Sequence, residues 1–166
     1  FQAFITAMRL QEGEERTRTW LENMLDAGVS EYNNEFLVSN ATADGELQAG
    51  FANHYYALRV QAARPDSPVE LAFTSGDAGA LINAAGAAVL SASQEQELAN
   101  NFVRHLLSSE AQEFFATRTY AYPMVADIPP VGDLPSIDEL NPPDIDLARL
   151  SEIPPTVDLL RETGVL

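Results

Sequence analysis

The sequence predicts an α/β fold, and three observations carry that expectation. Amphipathic helical stripes alternate with short segments of strand character, the order that builds a sheet covered by helices. The 166 residues are 46% hydrophobic, enough to bury a core. No apolar run approaches the roughly 20 residues that a membrane-spanning helix needs.

Taken in order, Phe4, Ile5 and Met8 recur at helical spacing. That pattern starts at the first residue, without Met or a targeting signal, so the chain reads as a fragment of a longer protein. Trp20, Leu21, Met24 and Leu25 form a second helical stripe, with Gly28 as its C-terminal stop. Residues 47–51 follow Asp44-Gly45 turn chemistry and read as a strand. Residues 54–64 read as a helix closed by Pro65, and residues 69–74 alternate apolar and polar as a second strand. A Gly/Ala-rich stretch over 76–86 leads to an apolar, strand-like segment at 87–90. Ser93 with Gln96, and Ser109 with Gln112, have capping-box spacing. They predict one helix carrying Leu98, Phe102, Val103, Leu106 and Leu107 and another carrying Phe114 and Phe115. From Tyr120 onward the Pro-Pro pairs at 129–130, 142–143 and 154–155 exclude long regular elements, leaving a last helix over 156–163.

Charge narrows the functions. Against 25 acidic residues stand 9 basic ones, all Arg, for a net charge of -16. A nucleic-acid binder needs clustered cations to displace counterions, so nucleic acid is excluded as a partner, and anionic membranes are disfavoured. An acidic chain without Lys fits a halophilic protein, in which dense carboxylates keep the surface hydrated at high salt. The absence of Cys removes disulfides, thiolate metal sites and Cys nucleophiles.

Enzyme constellations are thin, and the chain is read as not an enzyme. There is no GxSxG elbow, HExxH helix or P-loop. His105 sits in an apolar helix pattern as a packed or surface residue, Ser75-Gly76-Asp77 reads as a turn, and Asp144/Asp146 read as solvated surface. The distinctive feature is Asn53-His54-Tyr55-Tyr56, where a strand candidate gives way to a helix. Inside a regular helix neighbouring side chains point about 100° apart, whereas at a non-helical junction two adjacent phenols can converge. Two converging phenols suit a hard, highly charged cation, because a phenol gives up its proton at neutral pH only to a strong Lewis acid. Fe(III) fits that requirement. By itself a Tyr-Tyr pair is more often packing than a site.

A wider pattern surrounds the pair. Asn53-His54-Tyr55-Tyr56, the Asp77-Ala78-Gly79-Ala80-Leu81 turn, the Ala/Gly-rich 85–90 segment, the 101–112 helix and Tyr122-Pro123 occur in that order. Together they resemble the ferric-iron-binding proteins of the type II periplasmic-binding superfamily, the substrate-binding components of ABC iron importers, over the whole of residues 1–166. The resemblance implies a two-lobed, hinge-closing protein of which this chain is the C-terminal part. Residues 1–85 would belong to the C-terminal lobe, 86–136 would cross into the N-terminal lobe, and 137–166 would return. Tyr55 and Tyr56 would supply two phenolates to Fe(III), and Asn53 would help hold an accompanying anion, phosphate or carbonate. A second anion-binding asparagine falls at Asn34 or the neighbouring Glu35, with Asn34 preferred. The family's remaining ligands, a His and a Glu, and its Ser-Gly-Ala anion turn would lie upstream of Phe1. His54 is read as solvent-facing rather than as a ligand.

The function so implied is capture of Fe(III) from ferric chelates by an extracytoplasmic monomer, tethered or free, and delivery to a membrane permease. Two other readings stand beside it. One is a protein of the same superfamily for another solute, such as an oxyanion, a phosphorylated sugar or thiamine. The other is an acidic interaction domain with no ligand.

Overall fold

A computed structural model describes residues 1–166. Seven α-helices run in the order α1 (Gln2–Glu12), α2 (Glu14–Asp26), α3 (Glu35–Ala43), α4 (His54–Ala63), α5 (Gln96–Leu106), α6 (Ser109–Phe114) and α7 (Ile153–Glu162). Short 3-10 turns stand at Ala78–Ala80 and Leu147–Ser151, and a π turn over Phe115–Thr119 extends α6. The chain divides into two compact units. The first comprises Phe1–Glu31, Ala72–Asn83 and Asp138–Leu166, and the second Tyr32–Leu71 and Ala84–Ile137. These packing units draw their lines differently from lobe boundaries at 85 and 136, since 32–71 packs with 84–137.

In the first unit α1, α2 and α7 bury Ile5, Leu21, Leu159 and Leu160, with Phe4, Trp20 and Val165 packed against them. Phe4, Ile5, Trp20 and Leu21 come from the two helical stripes, joined by two leucines of α7 and by Val165 after it. Between α1 and α2 the chain turns at Gly13, whose φ of +87° is a conformation that side chains other than glycine's rarely adopt. Thr6 and Thr156 are fully buried and share a hydroxyl hydrogen bond at 2.8 Å, and Arg9 Nη1 donates to Thr156 at 3.1 Å. The polar contact thus satisfies itself inside the interface of α1 with α7, as a buried hydroxyl requires.

In the second unit α3 and α4 pack on each other, and Ala43, Val60 and Val69 form a small core. The sequence reading passes over α3, because Phe36-Leu37-Val38 is a contiguous apolar run without helical period. Its start is nevertheless encoded: Asn34 is extended and its Oδ1 accepts the Leu37 N–H at 3.0 Å. Its end falls at Asp44-Gly45, where Gly45 has φ +76°.

Several expectations are corrected. The segments 47–51, 69–74 and 87–90 carry no hydrogen-bonded ladder. A strand exists only against a partner strand, and here the Val69 carbonyl accepts a side-chain hydrogen bond from Gln61 at 2.8 Å instead. The two capping boxes also shift. Ser93 Oγ accepts from Glu95 N in a turn before α5, while Gln96 Nε2 reaches back to the carbonyls of Leu90, Ser91 and Ser93. The cap of α6 is Ser108, one residue earlier than expected. Gln112 is buried; it donates to Leu106 O and accepts from Met124 N. The apolar stripe of α5 is not a core either: the helix buries no residue, and Leu98 and Phe102 are more than half exposed.

None of the 25 carboxylates is buried, and nine arginines cannot neutralise them. Their mutual repulsion acts over about 30 Å at 0.01 M salt but only about 3 Å at 1 M. The native far-UV circular dichroism should therefore weaken in dilute buffer and recover along a NaCl series. An unchanged native spectrum in dilute buffer rules out the halophilic reading.

Candidate metal centre

The site is built at the start of α4. Asn53 is extended, with φ -65° and ψ 138°, and its carbonyl accepts the Tyr56 N–H at 3.0 Å, closing the first turn. Tyr55 and Tyr56 therefore lie within the helix, not on the non-helical backbone that the sequence argument required. Their rings meet all the same, with centroids 4.6 Å apart and planes tilted by 53°. Backbone direction fixes where each side chain starts; the length of a tyrosine lets its far end swing to a common point. Asn53 Nδ2 donates to Tyr55 Oη at 3.0 Å.

The electrostatics of Tyr55 favour the protonated phenol. Burial pushes its pKa above the ordinary range, and Tyr56 and the charge of Glu35 push the same way. The hydrogen bond from Asn53 works in the opposite direction and is outweighed. The guanidinium of Arg59 lies over both rings, 5.5 Å from the Tyr55 centroid and 5.8 Å from that of Tyr56. Phe36 of α3 approaches Tyr56 with centroids 6.3 Å apart. Tyr55 is thus a partly buried phenol whose surroundings hold its proton until something displaces it. A strong Lewis acid can do that, and a softer or less charged ion cannot.

Glu35 joins this site. Its Oε2 accepts the backbone N–H of Asn53 at 2.8 Å, so one asparagine holds the carboxylate by its main chain and a phenol by its side chain. Asn34 next to it spends its Oδ1 on the cap of α3, which leaves its amide nitrogen as a donor. Arg59 was detectable in the sequence, being four residues after Tyr55 and three after Tyr56 on one helix. Glu35 had no such signal beyond its place beside Asn34, because a loop of variable reach separates α3 from α4.

His54 is not solvent-facing. It is half-buried, its Nε2 bonds the Tyr120 carbonyl at 2.7 Å, and its ring makes edge contacts with Tyr55 and Tyr122. A carbonyl can only accept, so His54 donates from Nε2. Tyr120 stands in the left-handed region with φ +61°, a conformation that must be held by its surroundings. Burial lowers the His54 pKa, against the opposing effect of the bond to Tyr120. A lowered folded pKa means that this stabilisation is present above the unfolded value and is lost as pH falls. His54→Ala should cost about 1–3 kcal/mol by orphaning a carbonyl, measured by urea denaturation at neutral pH. A midpoint equal to the parent's shows that the contact is not structural.

The other candidates resolve as surface or turns. His105 is exposed on α5. Asp146 caps the 3-10 turn through Ala148 N at 2.9 Å. Asp77 accepts from Thr74 and from Gly79 N, closing the turn that contains Ser75 and Gly76. No three His, Asp or Glu side chains are placed to hold a metal, which leaves the phenol pair as the candidate centre.

Comparison with known proteins finds relatives of this chain. The family model described as bacterial extracellular solute-binding protein matches residues 1–149. The Fe(3+)-binding periplasmic protein of Serratia marcescens is 26% identical over 170 residues, covering 100% of this chain and 50% of that protein. The major ferric iron-binding protein of Neisseria meningitidis is 29% identical over 164 residues, covering 97% of this chain and 49% of that protein. Iron uptake protein A1 of Synechocystis is 25% identical over 172 residues, with 98% and 48% covered. The crystal structure of iron-bound HitA from Pseudomonas aeruginosa superposes with a TM-score of 0.92 at 29% identity, over 99% of this chain and 54% of that one. The chain therefore spans about half the length of the relatives that it matches. The α/β, type II periplasmic-binding-protein-like fold expected from the sequence is the fold that this likeness shows, present here in part.

Proposed function

The chain belongs to the bacterial extracellular solute-binding protein family, and on that premise we propose that it is the C-terminal part of a protein that captures Fe(III) for an ABC importer. The observation that carries the reading is the meeting of Tyr55 and Tyr56, with Asn53 donating to one phenol. The names of its relatives, ferric iron-binding and iron uptake proteins, support the same cargo.

In this reading Tyr55 and Tyr56 lose their protons to solvent as the metal binds, and hold it as phenolates. Asn53, and Asn34 through its amide nitrogen, hold a small anion such as phosphate or carbonate beside it. The lobes, bounded near 85 and 136, close on the cargo, and the closed form docks on a membrane permease. The periplasmic name of the Serratia relative and the family's description as extracellular support an extracytoplasmic protein, acting as a monomer on ferric chelates.

Adding ferric citrate to the intact protein that contains this chain should produce the visible colour of phenolate-to-iron charge transfer. Absence of that band, with the protein folded, sinks the iron assignment. Tight binding of an oxyanion, a sugar phosphate or thiamine without iron turns the reading to another solute of the same family.

A further inference from the structure

We propose that Gly50 is a positioning residue for the tyrosine pair, because its missing side chain lets residues 50–53 lie against α3 and so sets where α4 begins. The inference rests on the tyrosine-pair reading and concerns what holds the two phenols together before any metal arrives.

Glu35, Val38 and Thr42 stand at i, i+3 and i+7 of α3 and therefore share one face. The chain that leads into α4 runs back along that face. Gly50 comes so close that a methyl group there would collide with Val38 Cγ1 and lie 3.4 Å from Thr42 Oγ1. The requirement is for space, since Gly50 is not among the glycines with positive φ. Three residues later the Asn53 N–H donates to Glu35 Oε2 at 2.8 Å.

α3 has little room to yield. A valine in a helix keeps nearly one χ1 rotamer, and Thr42 Oγ1 donates to the Val38 carbonyl at 2.9 Å. Ser39, Ala41 and Ala43 anchor the helix by burial, the last beside Val60 of α4 and Val69. Arg64, just past the far end of α4, bonds Asn40 at 3.0 Å and pairs with Asp44. What gives way to a collision is the exposed 50–53 segment.

α4 is thus tied to α3 at both ends, through Arg64 at one and through Asn53 at the other. The Asn53 end carries the phenols: its carbonyl accepts the Tyr56 N–H at 3.0 Å, and its Nδ2 donates to Tyr55 Oη at 3.0 Å. Tyr56 also rests near Phe36 of α3, with ring centroids 6.3 Å apart. Lifting residues 50–53 off α3 takes Asn53 from Glu35 and Tyr56 from Phe36, while both phenols stay in the chain. Gly50 therefore acts on the pair through Asn53.

Competition for Fe(III) between the intact protein and citrate, with the charge-transfer band as readout, tests this. Gly50→Ala should keep the parent's far-UV circular dichroism yet lose at least about tenfold in affinity, as when a partner that orients a metal ligand is lost. Val38→Ala, which leaves the seat open, should bind within about twofold of the parent. Gly50→Ala combined with Val38→Ala removes the collision and should regain most of the loss, a coupling between two residues outside the metal centre. A folded Gly50→Ala protein that binds like the parent overturns the proposal and leaves the tyrosine pair standing. So does a double variant as weak as Gly50→Ala, or a Val38→Ala protein that loses as much by itself. A Gly50→Ala protein that does not fold overturns it too, because Gly50 then holds the fold rather than the pair. A parent with no band removes the tyrosine pair, and this inference with it.

Discussion

Tyr55→Phe and Tyr56→Phe, each in the intact protein, should abolish the charge-transfer colour or weaken Fe(III) binding at least about a hundredfold, the upper end of what loss of a mere outer-shell partner costs a metal site. Each substitution deletes one oxygen and keeps the ring, so the contacts with Phe36, His54 and Arg59 survive. The fold should lose no more than about 0.5–1.5 kcal/mol, the net worth of one hydroxyl hydrogen bond. Tyr55→Phe carries one extra consequence, because Asn53 Nδ2 loses the oxygen to which it donates. Equilibrium competition against citrate, read beside a urea melt, separates the two effects. If the rings are only packing, both variants capture iron as the parent does and show only the small stability loss. Retention of parental binding by either variant removes that tyrosine from the metal centre.

Much of the candidate site could be proposed from the sequence, and the reason is local. Asn53, Tyr55 and Tyr56 are consecutive or nearly so, and a helix start forces such residues into one place whatever the rest of the fold does. α1, α2 and α4 were legible for a similar reason, as their stripes have helical period and their ends carry Gly or Pro. What failed depended on partners that sequence spacing does not name. The 69–74 segment has the alternation of a strand, yet alternation says which faces differ, not which strand lies alongside. The stripe of α5 has the spacing of a core helix, yet Leu98 and Phe102 remain exposed, because periodicity marks a face to be covered without supplying the cover. α3 hid behind a contiguous apolar run and was betrayed only by its cap, Asn34. With α3 unseen, Glu35 could be named only as the neighbour of Asn34, without its contact to the Asn53 main chain. Distant pairings such as His54 with Tyr120, 66 residues apart, are fixed by the fold and leave no local mark.

Iron should be released steeply on acidification, before the protein unfolds. Each phenol must lose a proton to bind the metal, so protons and Fe(III) compete for the same two oxygens. Below the phenol pKa the affinity should fall about tenfold per phenol for each pH unit, about a hundredfold for the pair. Tyr55 steepens no slope, but its raised pKa makes the apo site hold its proton more firmly and so keeps the competition active throughout the neutral range. The sign for stability is the reverse. A tyrosine with a raised folded pKa contributes stabilisation that is fully present below the unfolded value and is lost only as pH rises through the folded one. Acid therefore strips the metal from Tyr55 without costing the fold anything at that residue, and what the fold loses comes from His54, whose lowered pKa makes its contribution fall away below the unfolded value. Charge-transfer absorbance and far-UV circular dichroism, followed on one sample from pH 8 to about pH 4, should show two separated transitions, the colour going first. A colour that fades only together with the circular dichroism places the ligands elsewhere. A dependence of about tenfold per pH unit, half the expected slope, means that one phenol alone gives up its proton, and the pair is then not the unit that binds iron.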